Sequence, residues 1–374
     1  MSRFLELVTK PVRELGCYAP APRGSCSLQD RSLIRLDSNE NPLGPSPRAL
    51  EAVERTLAGS HLYPDNECAA LSSKLSCIHE ISADHVLVTV GSTGMLTLLC
   101  QTLLAPGLNA VTSEKSFIVY GMAVRATGAG LIEAPAREDG FDLAAILKAI
   151  NDRTRLVLLA NPNNPTGTML NAGELEQFLK RIPEHVVVVL DEAYHEFASH
   201  FAARRGVEYS RSLSYVHQGA GVVVLRTFSK AHGLAGLRIG YGVGPAELMG
   251  YCKRIQETYS VSSVAQAAAI AALDDVDHVT RSVSQNAEQA QVLEAGLSKL
   301  GFRTVATWAN FVYCDLQNDP TALCGGLLEE GISVRQLGAW GAPTCIRVSV
   351  GTVQQNEKCL EAMRRLSVSS GPQR

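Results

Sequence analysis

Several features that define other classes of protein are missing from this sequence. No apolar run among its 374 residues is long enough to cross a bilayer, and the first fifteen residues do not resemble a signal peptide. The formal net charge is only −3, so neither nucleic acid nor an anionic membrane surface is indicated as a partner. We therefore expect a cytoplasmic protein that binds neither nucleic acid nor membranes.

Sequence signals for metals, disulfides and dinucleotides are also missing. The ten cysteines include no C-x-x-C pair, and no cysteine at zinc spacing accompanies Asp191 and His195. Gly236 and Gly240 are not part of a G-x-G-x-x-G motif between a strand and a helix, which argues against a dinucleotide site. We expect reduced thiols and no metal, in a chain whose 46% hydrophobic content suits a sizeable core.

Extended and helical patterns alternate over the first two thirds of the chain. Residues 186–190 are five consecutive aliphatic residues, as in a strand that is buried on both faces. Further strands are predicted at 85–90, 156–160 and 221–225. Helices are predicted at 93–104, 172–181 and 264–273, with a longer one at 279–300. The alternation predicts an α/β fold with a mostly parallel sheet between helices, and the change of pattern near residue 275 predicts a smaller α+β domain.

Ligands of parallel sheets bind beyond the C-terminal ends of the strands, so polar residues at those ends are the first candidates for a site. The strand at 85–90 leads into Gly91, Ser92 and Thr93, whose free N–H groups at a helix start suit an anion, although a plain helix cap is the simpler reading. The strand at 156–160 leads into the sequence NPNNPTG. Its prolines would hold the Asn164 amide in place for a hydrogen bond to the ring of a bound ligand, or would simply make a rigid loop.

Charged residues follow the other two strands. Asp191 comes after five aliphatic residues, a costly place for a carboxylate unless it meets a salt-bridge partner or a protonated pyridine nitrogen. Lys230 follows the strand at 221–225, beside Ser229 and Arg238, and is a candidate Schiff-base lysine rather than an ordinary solvated one. None of these four strand ends is decisive alone.

Together, and in this order, these motifs resemble the fold type I aminotransferases that depend on pyridoxal phosphate (PLP). The strongest segments are NPNNPTG at 161–167, DEAY at 191–194 and TFSKAHGLAGLRIGYG at 227–242. Within that group the sequence is most similar to the histidinol-phosphate aminotransferases. The supporting stretches are LDSNENPLGP at 36–45, LYPD at 62–65, SFIVY at 116–120, VRQLGAWG at 334–341 and IRVSVGT at 346–352.

The resemblance implies a role for each matching residue. Lys230 would hold PLP covalently and carry the proton, Asp191 would pair with the pyridinium nitrogen, and Phe117 would stack on the ring. Asn164 and Tyr194 would bond the phenolate oxygen of the ring. The phosphate cradle implied by the family comprises Gly91, Ser92, Thr93, Thr227, Ser229 and Arg238.

The resemblance also implies a homodimer with shared active sites, because Tyr63 matches a tyrosine that reaches the phosphate of the neighbouring subunit. The residues implied on the substrate side are Tyr18, Asn39, Tyr120, Asn164, Arg335 and Arg347. Three positions depart from the common pattern: His232, Lys115 and the stretch 259–263. These departures bear on the identity of the substrate, not on the class of reaction.

The implied architecture is a PLP-dependent transferase fold type I, with a sheet of the seven-stranded type. A large PLP-binding domain is predicted at 46–270, and a smaller domain is predicted to combine 1–45 with 271–374. The first function expected is transfer of an amino group between histidinol phosphate and 2-oxoglutarate. An aminotransferase for aromatic or other bulky amino acids, and a PLP decarboxylase of a phosphorylated amino acid, stay open. A PLP-dependent DNA-binding regulator is disfavoured, because about 35 residues before the family domain leave no room for a helix-turn-helix.

Overall fold

The computed structural model describes Phe4, residues 7–18 and residues 33–369, with side chains described as far as residue 367. Part of the predicted N-terminal segment, residues 19–32, lies outside this range. The helices of the described part are α1 Lys10–Glu14, α2 Pro47–Leu57, α3 Ala69–His79, α4 Gly91–Leu103, α5 Ile118–Ala126, α6 Leu143–Ala149, α7 Ala172–Leu179, α8 His195–Arg205, α9 Ser212–His217, α10 Ala246–Ile255, α11 Ser263–Leu273, α12 Val276–Lys299, α13 Thr321–Glu329 and α14 Val353–Ser369.

The strands of the described residues form two main sheets and a short hairpin. They are β1 Ile34–Leu36, β2 Val86–Thr89, β3 Asn109–Ser113, β4 Gly130–Ala134, β5 Ala136–Arg137, β6 Gly140–Phe141, β7 Thr154–Ala160, β8 Val187–Asp191, β9 Val222–Thr227, β10 Gly240–Val243, β11 Arg303–Thr304, β12 Phe311–Asp315, β13 Ile332–Gln336 and β14 Cys345–Ser349. The larger sheet has seven strands in the order β2-β10-β9-β8-β7-β3-β4, and the smaller has five in the order β1-β13-β14-β12-β11.

The predicted α/β class with a mostly parallel sheet is confirmed. The pairs β3–β4, β3–β7, β7–β8 and β8–β9 are all parallel, and β10 pairs antiparallel with β2 and β9. Strand β10 was not predicted; its sequence is GYGV, with glycine at two of the four positions. Gly240 is needed there: a Cβ at this position would lie 2.6 Å from the backbone nitrogen of Ser92.

Two apolar cores accompany the two sheets. The larger draws its buried side chains from residues between Ala49 and Ala272, including the aliphatic runs of β7, β8 and β9. The second combines Leu36 and Phe201 with residues 287–363 from α12, α14 and the smaller sheet. Within the described part of the chain, no helix is both long and apolar enough to cross a membrane.

A buried ion pair lies just behind the C-terminal edge of the larger sheet. Arg226 Nη2 lies 2.8 Å from Glu192 Oε2, and the Glu192 side chain is fully buried. Burial alone would raise the pKa of the Glu192 carboxyl, but the charge of Arg226 reverses the shift and lowers that pKa to about 2. The pair therefore stabilises the fold at neutral pH, and its contribution is lost progressively as the pH falls from about 4.5 to about 2.

We predict that Arg226→Met lowers the free energy of unfolding by about 3–5 kcal/mol, because it leaves a buried carboxylate without its partner. Urea unfolding of the apoprotein at neutral pH measures the loss. The control is Arg211→Met, which removes an exposed partner of Glu208 and should cost less than about 1 kcal/mol. Equal losses in the two variants would contradict a special role for the buried pair.

Candidate active site

A cavity of about 200 Å³ lies at the C-terminal ends of β7, β8 and β9. Most of the side chains singled out from the sequence meet in it, although they come from distant parts of the chain. The predicted residues that line the cavity are Tyr18, Asn39, Ser92, Thr93, Phe117, Asn164, Asp191, Tyr194, Thr227, Ser229, Lys230, Arg238 and Arg347. Parallel pairing explains the convergence, because it brings the ends of neighbouring strands to one edge of the sheet.

Lys230 is the amine of this cavity. Its Nζ donates to the backbone carbonyls of Ser38 at 3.1 Å and Asn39 at 3.2 Å, and it lies 5.7 Å from the centre of the Tyr194 ring. Burial lowers the pKa of the Lys230 ammonium to about 7, and the positive charge of Arg347 adds to the shift. A lysine with this pKa is in part a free amine at neutral pH, which is the form that attacks a carbonyl carbon.

Asp191, the last residue of β8, is a buried carboxylate without a cation beside it. Tyr120 Oη donates to its Oδ2 at 3.1 Å, and the Ala193 N–H donates to its Oδ1 at 3.2 Å. Burial raises the pKa of the Asp191 carboxyl to about 6 in spite of these hydrogen bonds. No ion pair joins Asp191 to any residue that the structure describes. The site therefore suits a ligand that brings a positive charge to this carboxylate.

A set of N–H and O–H donors forms another part of the cavity wall. Helix α4 begins at Gly91 without a side-chain cap, so Ser92 and Thr93 present hydroxyls and first-turn N–H groups together. The Arg238 guanidinium lies 3.4 Å from Ser229 Oγ, which in turn accepts from Thr227 Oγ1 at 3.0 Å. Hydroxyls, an uncapped helix start and an arginine are the donor set that binds a phosphate group.

Two arginines lie on neighbouring strands of the smaller sheet. Arg335 of β13 and Arg347 of β14 are directly opposite one another in the antiparallel ladder, so their side chains leave the same face. Arg347 Nη2 donates to the carbonyl of Asp37 at 2.8 Å, and its Nη1 donates to Asn164 Oδ1. The Arg335 guanidinium does not line the cavity itself, but it stacks on two rings that do, 5.6 Å from Tyr18 and 4.9 Å from Trp340.

Three further predicted residues do not line the cavity. Gly91 lies behind it, with a backbone φ of +73°. Tyr120, expected on the substrate side, is fully buried beneath Asp191, to which it donates its hydroxyl proton. Tyr63 is 82% exposed and stacks on Tyr259, with 4.6 Å between the ring centres. Because Tyr120 does not line this cavity, its contact with the substrate stays a prediction.

The positions that depart from the family pattern lie around the cavity and not within it. His232 is buried, with its Nε2 3.7 Å from Glu196 Oε1. Lys115 has a left-handed backbone and pairs with Asp139 at 2.8 Å. The stretch 259–263 begins with the tyrosine that supports Tyr63. These departures leave the cavity itself intact.

Sequence reasoning missed some residues of the cavity wall. Asp37 and Ser38 line it from the N-terminal segment, and Trp340 lines it from the turn after β13. All three belong to motifs that carried the resemblance, LDSNENPLGP and VRQLGAWG, but no role was assigned to them. Asp37 and Ser38 contribute backbone carbonyls, which every residue has, and Trp340 has no local pattern that separates a cavity wall from a core aromatic.

The family model "Aminotransferase class I and II" matches residues 31–363 of the chain. The chain belongs to this family. This aminotransferase is therefore a PLP-dependent enzyme, as its sequence predicts. The lining residues fit that cofactor: Lys230 would bond the aldehyde carbon, Asp191 would face the pyridine nitrogen, and the start of α4 with Arg238 would hold the phosphate.

Relatives of this aminotransferase carry a more specific name. It is 41% identical to histidinol-phosphate aminotransferase 2 of Pseudomonas fluorescens, over 97% of this chain and 98% of that protein. It is 40% identical to histidinol-phosphate aminotransferase of Moorella thermoacetica, over 90% of this chain and 86% of that protein. The crystal structure of histidinol-phosphate aminotransferase from Sinorhizobium meliloti in complex with pyridoxal-5'-phosphate is similar, with a TM-score of 0.87 at 27% identity, over 99% of this chain and 98% of that one.

We predict that Gly91→Ala weakens PLP binding. A Cβ at Gly91 would lie 2.8 Å from Arg238 Nη2, so the guanidinium must move away from the phosphate donors. The dissociation constant of PLP should rise about tenfold or more, since a charge-assisted contact contributes about 1.5–3 kcal/mol and 1.4 kcal/mol is tenfold. Fluorescence titration of the apoenzyme with PLP measures the change.

The matched control is Gly94→Ala on the same helix. A Cβ there would meet Thr89 Cβ at an ordinary 3.4 Å, and the φ of Gly94 is not positive. This variant should bind PLP like the unmodified enzyme. Unchanged PLP affinity in Gly91→Ala would show that Arg238 can bind the phosphate even when residue 91 has a Cβ.

Proposed function

We propose that this aminotransferase converts L-histidinol phosphate and imidazole acetol phosphate into one another, with glutamate and 2-oxoglutarate as the second pair. The observation that carries the proposal is the pairing of Arg335 with Arg347 across β13 and β14. Like charges directly opposite one another on a sheet repel, and an anionic ligand between or beside them offsets the repulsion. One arginine suffices for a carboxylate, whereas two favour a dianionic phosphate.

The relatives support the same substrate. Histidinol-phosphate aminotransferase is the name borne by the Pseudomonas and Moorella proteins, both about 40% identical to this chain over most of its length. The cavity also has an aromatic wall, formed by Tyr18 and Trp340, that suits a planar imidazole ring. That wall equally suits phenylalanine or another bulky amino acid, so the substrate experiment below includes one.

Lys230 and Asp191 are the residues that we propose to act on the reacting atoms. When bound, PLP supplies an electron sink for the electron pair left at the substrate carbon. Asp191 holds the positive charge at the pyridine nitrogen, since its buried carboxylate forms no ion pair with any of the described residues. Lys230 holds the cofactor covalently and, once released, carries the proton from the substrate carbon. Its pKa near 7 lets the amine both accept and return a proton.

The remaining predicted residues would bind and orient. Asn164 and Tyr194 are proposed partners of the phenolate oxygen, with Tyr194 Oη fixed by a 2.9 Å hydrogen bond from Asn39 Nδ2. Phe117 would stack on the ring. The proposed phosphate ligands are Gly91, Ser92, Thr93, Thr227, Ser229 and Arg238.

We also propose a homodimer in which Tyr63 completes the site of the partner. Tyr63 does not reach the cavity of its own chain, and its ring is almost wholly exposed. The stack of Tyr63 on Tyr259 joins two segments, 57–63 and 251–259, that expose large apolar side chains. These are Leu57, Leu62, Tyr63, Tyr251, Ile255 and Tyr259. A surface of this kind is typical of a protein–protein interface.

The domain boundaries and the location are further proposals. The larger core reaches from Ala49 to Ala272, which supports a large domain at 46–270, and the second core supports a small domain of 1–45 with 271–374. The proposed substrate places the enzyme in histidine biosynthesis. We propose the cytoplasm as its location, because the nine cysteines of the described residues are free thiols, which persist in a reducing compartment.

We predict that Arg335→Ala raises KM for histidinol phosphate by about tenfold or more, since the loss of a charge-assisted contact costs about 1.5–3 kcal/mol. The KM for phenylalanine should change much less, because phenylalanine has no phosphate. Steady-state kinetics with 2-oxoglutarate as acceptor measure both. Arg365→Ala, which alters an exposed arginine of α14, is the control and should change neither. Equal losses on both substrates, or a preference of the unmodified enzyme for phenylalanine, would reject the proposed substrate.

We predict that two inactive variants restore activity when their subunits exchange. Lys230→Ala removes the cofactor lysine, and Tyr63→Ala removes the residue proposed to cross the interface. A mixed dimer then holds one site with both residues intact, so activity returns after mixing. Mass spectrometry of the intact dimer verifies the exchange. Exchange without activity, or an active monomer, would contradict the shared site.

A further inference from the structure

The segment Ser38–Asn39, which provides the two carbonyls for Lys230, has an unusual backbone. Asn39 has a backbone φ of +56°, in the left-handed region that residues other than glycine rarely adopt. Asparagine tolerates this conformation better than most residues, but the surrounding structure still has to hold it. Asn39 is almost fully buried, so its backbone and side-chain polar groups all need partners.

Ser349, the last residue of β14, holds Asn39 by two bonds at once. Its Oγ accepts from the Asn39 N–H at 2.8 Å and donates to Asn39 Oδ1 at 3.0 Å. The hydroxyl of Ser349 therefore fixes both the backbone and the amide of Asn39. The other end of that amide donates to Tyr194 Oη at 2.9 Å.

Asn310 holds the same residue from the carbonyl side. Its Nδ2 donates to the Asn39 carbonyl at 3.0 Å, and that oxygen is also an acceptor of Lys230. Asn310 Oδ1 is buried and has no hydrogen-bond partner among the described residues. Burial of an unpaired amide oxygen is unfavourable. The hydrogen bond from Asn310 Nδ2 to the Asn39 carbonyl is therefore the contact that accounts for a polar residue at this position.

We propose that Ser349 and Asn310 are positioning residues for Lys230, which act through the backbone of Asn39. They hold the Ser38 and Asn39 carbonyls at the place that receives the amine of Lys230 whenever that amine is not attached to the cofactor. Neither residue lines the cavity or touches the reacting atoms. The proposal rests on the role of Lys230 proposed above.

Several charged groups act on Lys230 besides these carbonyls. Arg347 of β14 and Arg238 disfavour its ammonium form, whereas Glu40 and Asp191 favour it. The phenol ring of Tyr194 lies beneath it. The substitutions at Ser349 and Asn310 remove none of these charged groups, so a change in the titration of Lys230 in such variants reports first on the two carbonyl acceptors.

The experiment measures the pKa of Lys230 in the apoenzyme, where no cofactor or substrate contributes. Pulse acetylation as a function of pH, read by peptide mass spectrometry, follows the free amine of this one lysine. Carbonyl acceptors stabilise the ammonium form, so Ser349→Ala should lower the pKa of Lys230 by about one unit, and Asn310→Ala should lower it likewise. Ser349→Thr keeps the hydroxyl and should restore the pKa.

Ser333→Ala is the matched control. Ser333 is a buried serine of β13 in the same sheet, and its Oγ donates to Asp37 Oδ2 at 2.5 Å, two residues from Asn39. Its removal should leave the pKa of Lys230 unchanged. Thermal unfolding of each apoprotein tests whether the four variants are folded at the labelling temperature. If Ser349→Ala is unfolded, the pKa of Lys230 in Asn310→Ala decides the outcome.

Three outcomes would overturn the proposal: an unchanged pKa in folded Ser349→Ala and Asn310→Ala, an equal fall in Ser333→Ala, or no recovery in Ser349→Thr. The measurement is independent of the substrate. An enzyme that prefers phenylalanine would reject the proposed reaction partner and leave this result as it stands. A Lys230→Ala enzyme that still binds PLP covalently would instead remove the premise.

Discussion

The parallel pairing of β7, β8 and β9 is the constraint on which the rest of the site depends. Residue by residue, Ala160 of β7 pairs with Asp191 of β8, and Asp191 pairs with Leu225 of β9. This register brings the loop with Asn164, the carboxylate of Asp191 and the amine of Lys230 to one edge of the sheet. The buried aliphatic runs within these strands favour the register, since a slip would expose them or bury charge.

Burial then sets the chemistry of that edge. The same desolvation lowers the pKa of Lys230 to about 7 and raises that of Asp191 to about 6, so each group is shifted toward its neutral form. Glu192, the next residue along, shows the opposite result: its partner Arg226 is within the protein, and its pKa falls to about 2. Two adjacent buried carboxylates thus differ because Glu192 forms an ion pair with Arg226, whereas Asp191 forms none with the described residues.

Much of this could be read from the sequence, because strand ends, punctuating prolines and a charged residue after an aliphatic run are local patterns. Asp191, Lys230 and Asn164 were found in that way, and so was the parallel sheet. Contacts between distant segments left no such pattern. The placement of Tyr120 beneath Asp191, the stack of Tyr63 on Tyr259 and the hold of Asn310 on Asn39 depend on the packing of elements far apart in the chain. The strand β10 was hidden because its glycines serve close packing and not a turn.

The N-terminal strand has a mechanical consequence. Strand β1 pairs in parallel with β13, from Ile34 beside Ile332 to Leu36 beside Val334, so the segment that follows it belongs to the smaller sheet and not to the larger one. The Ser38 and Asn39 carbonyls, Arg335 and Arg347 therefore lie on or directly after strands of the smaller sheet, while Lys230 follows β9 of the larger sheet. Any rotation of the smaller sheet against the larger would move the anion-binding arginines and the lysine acceptors together.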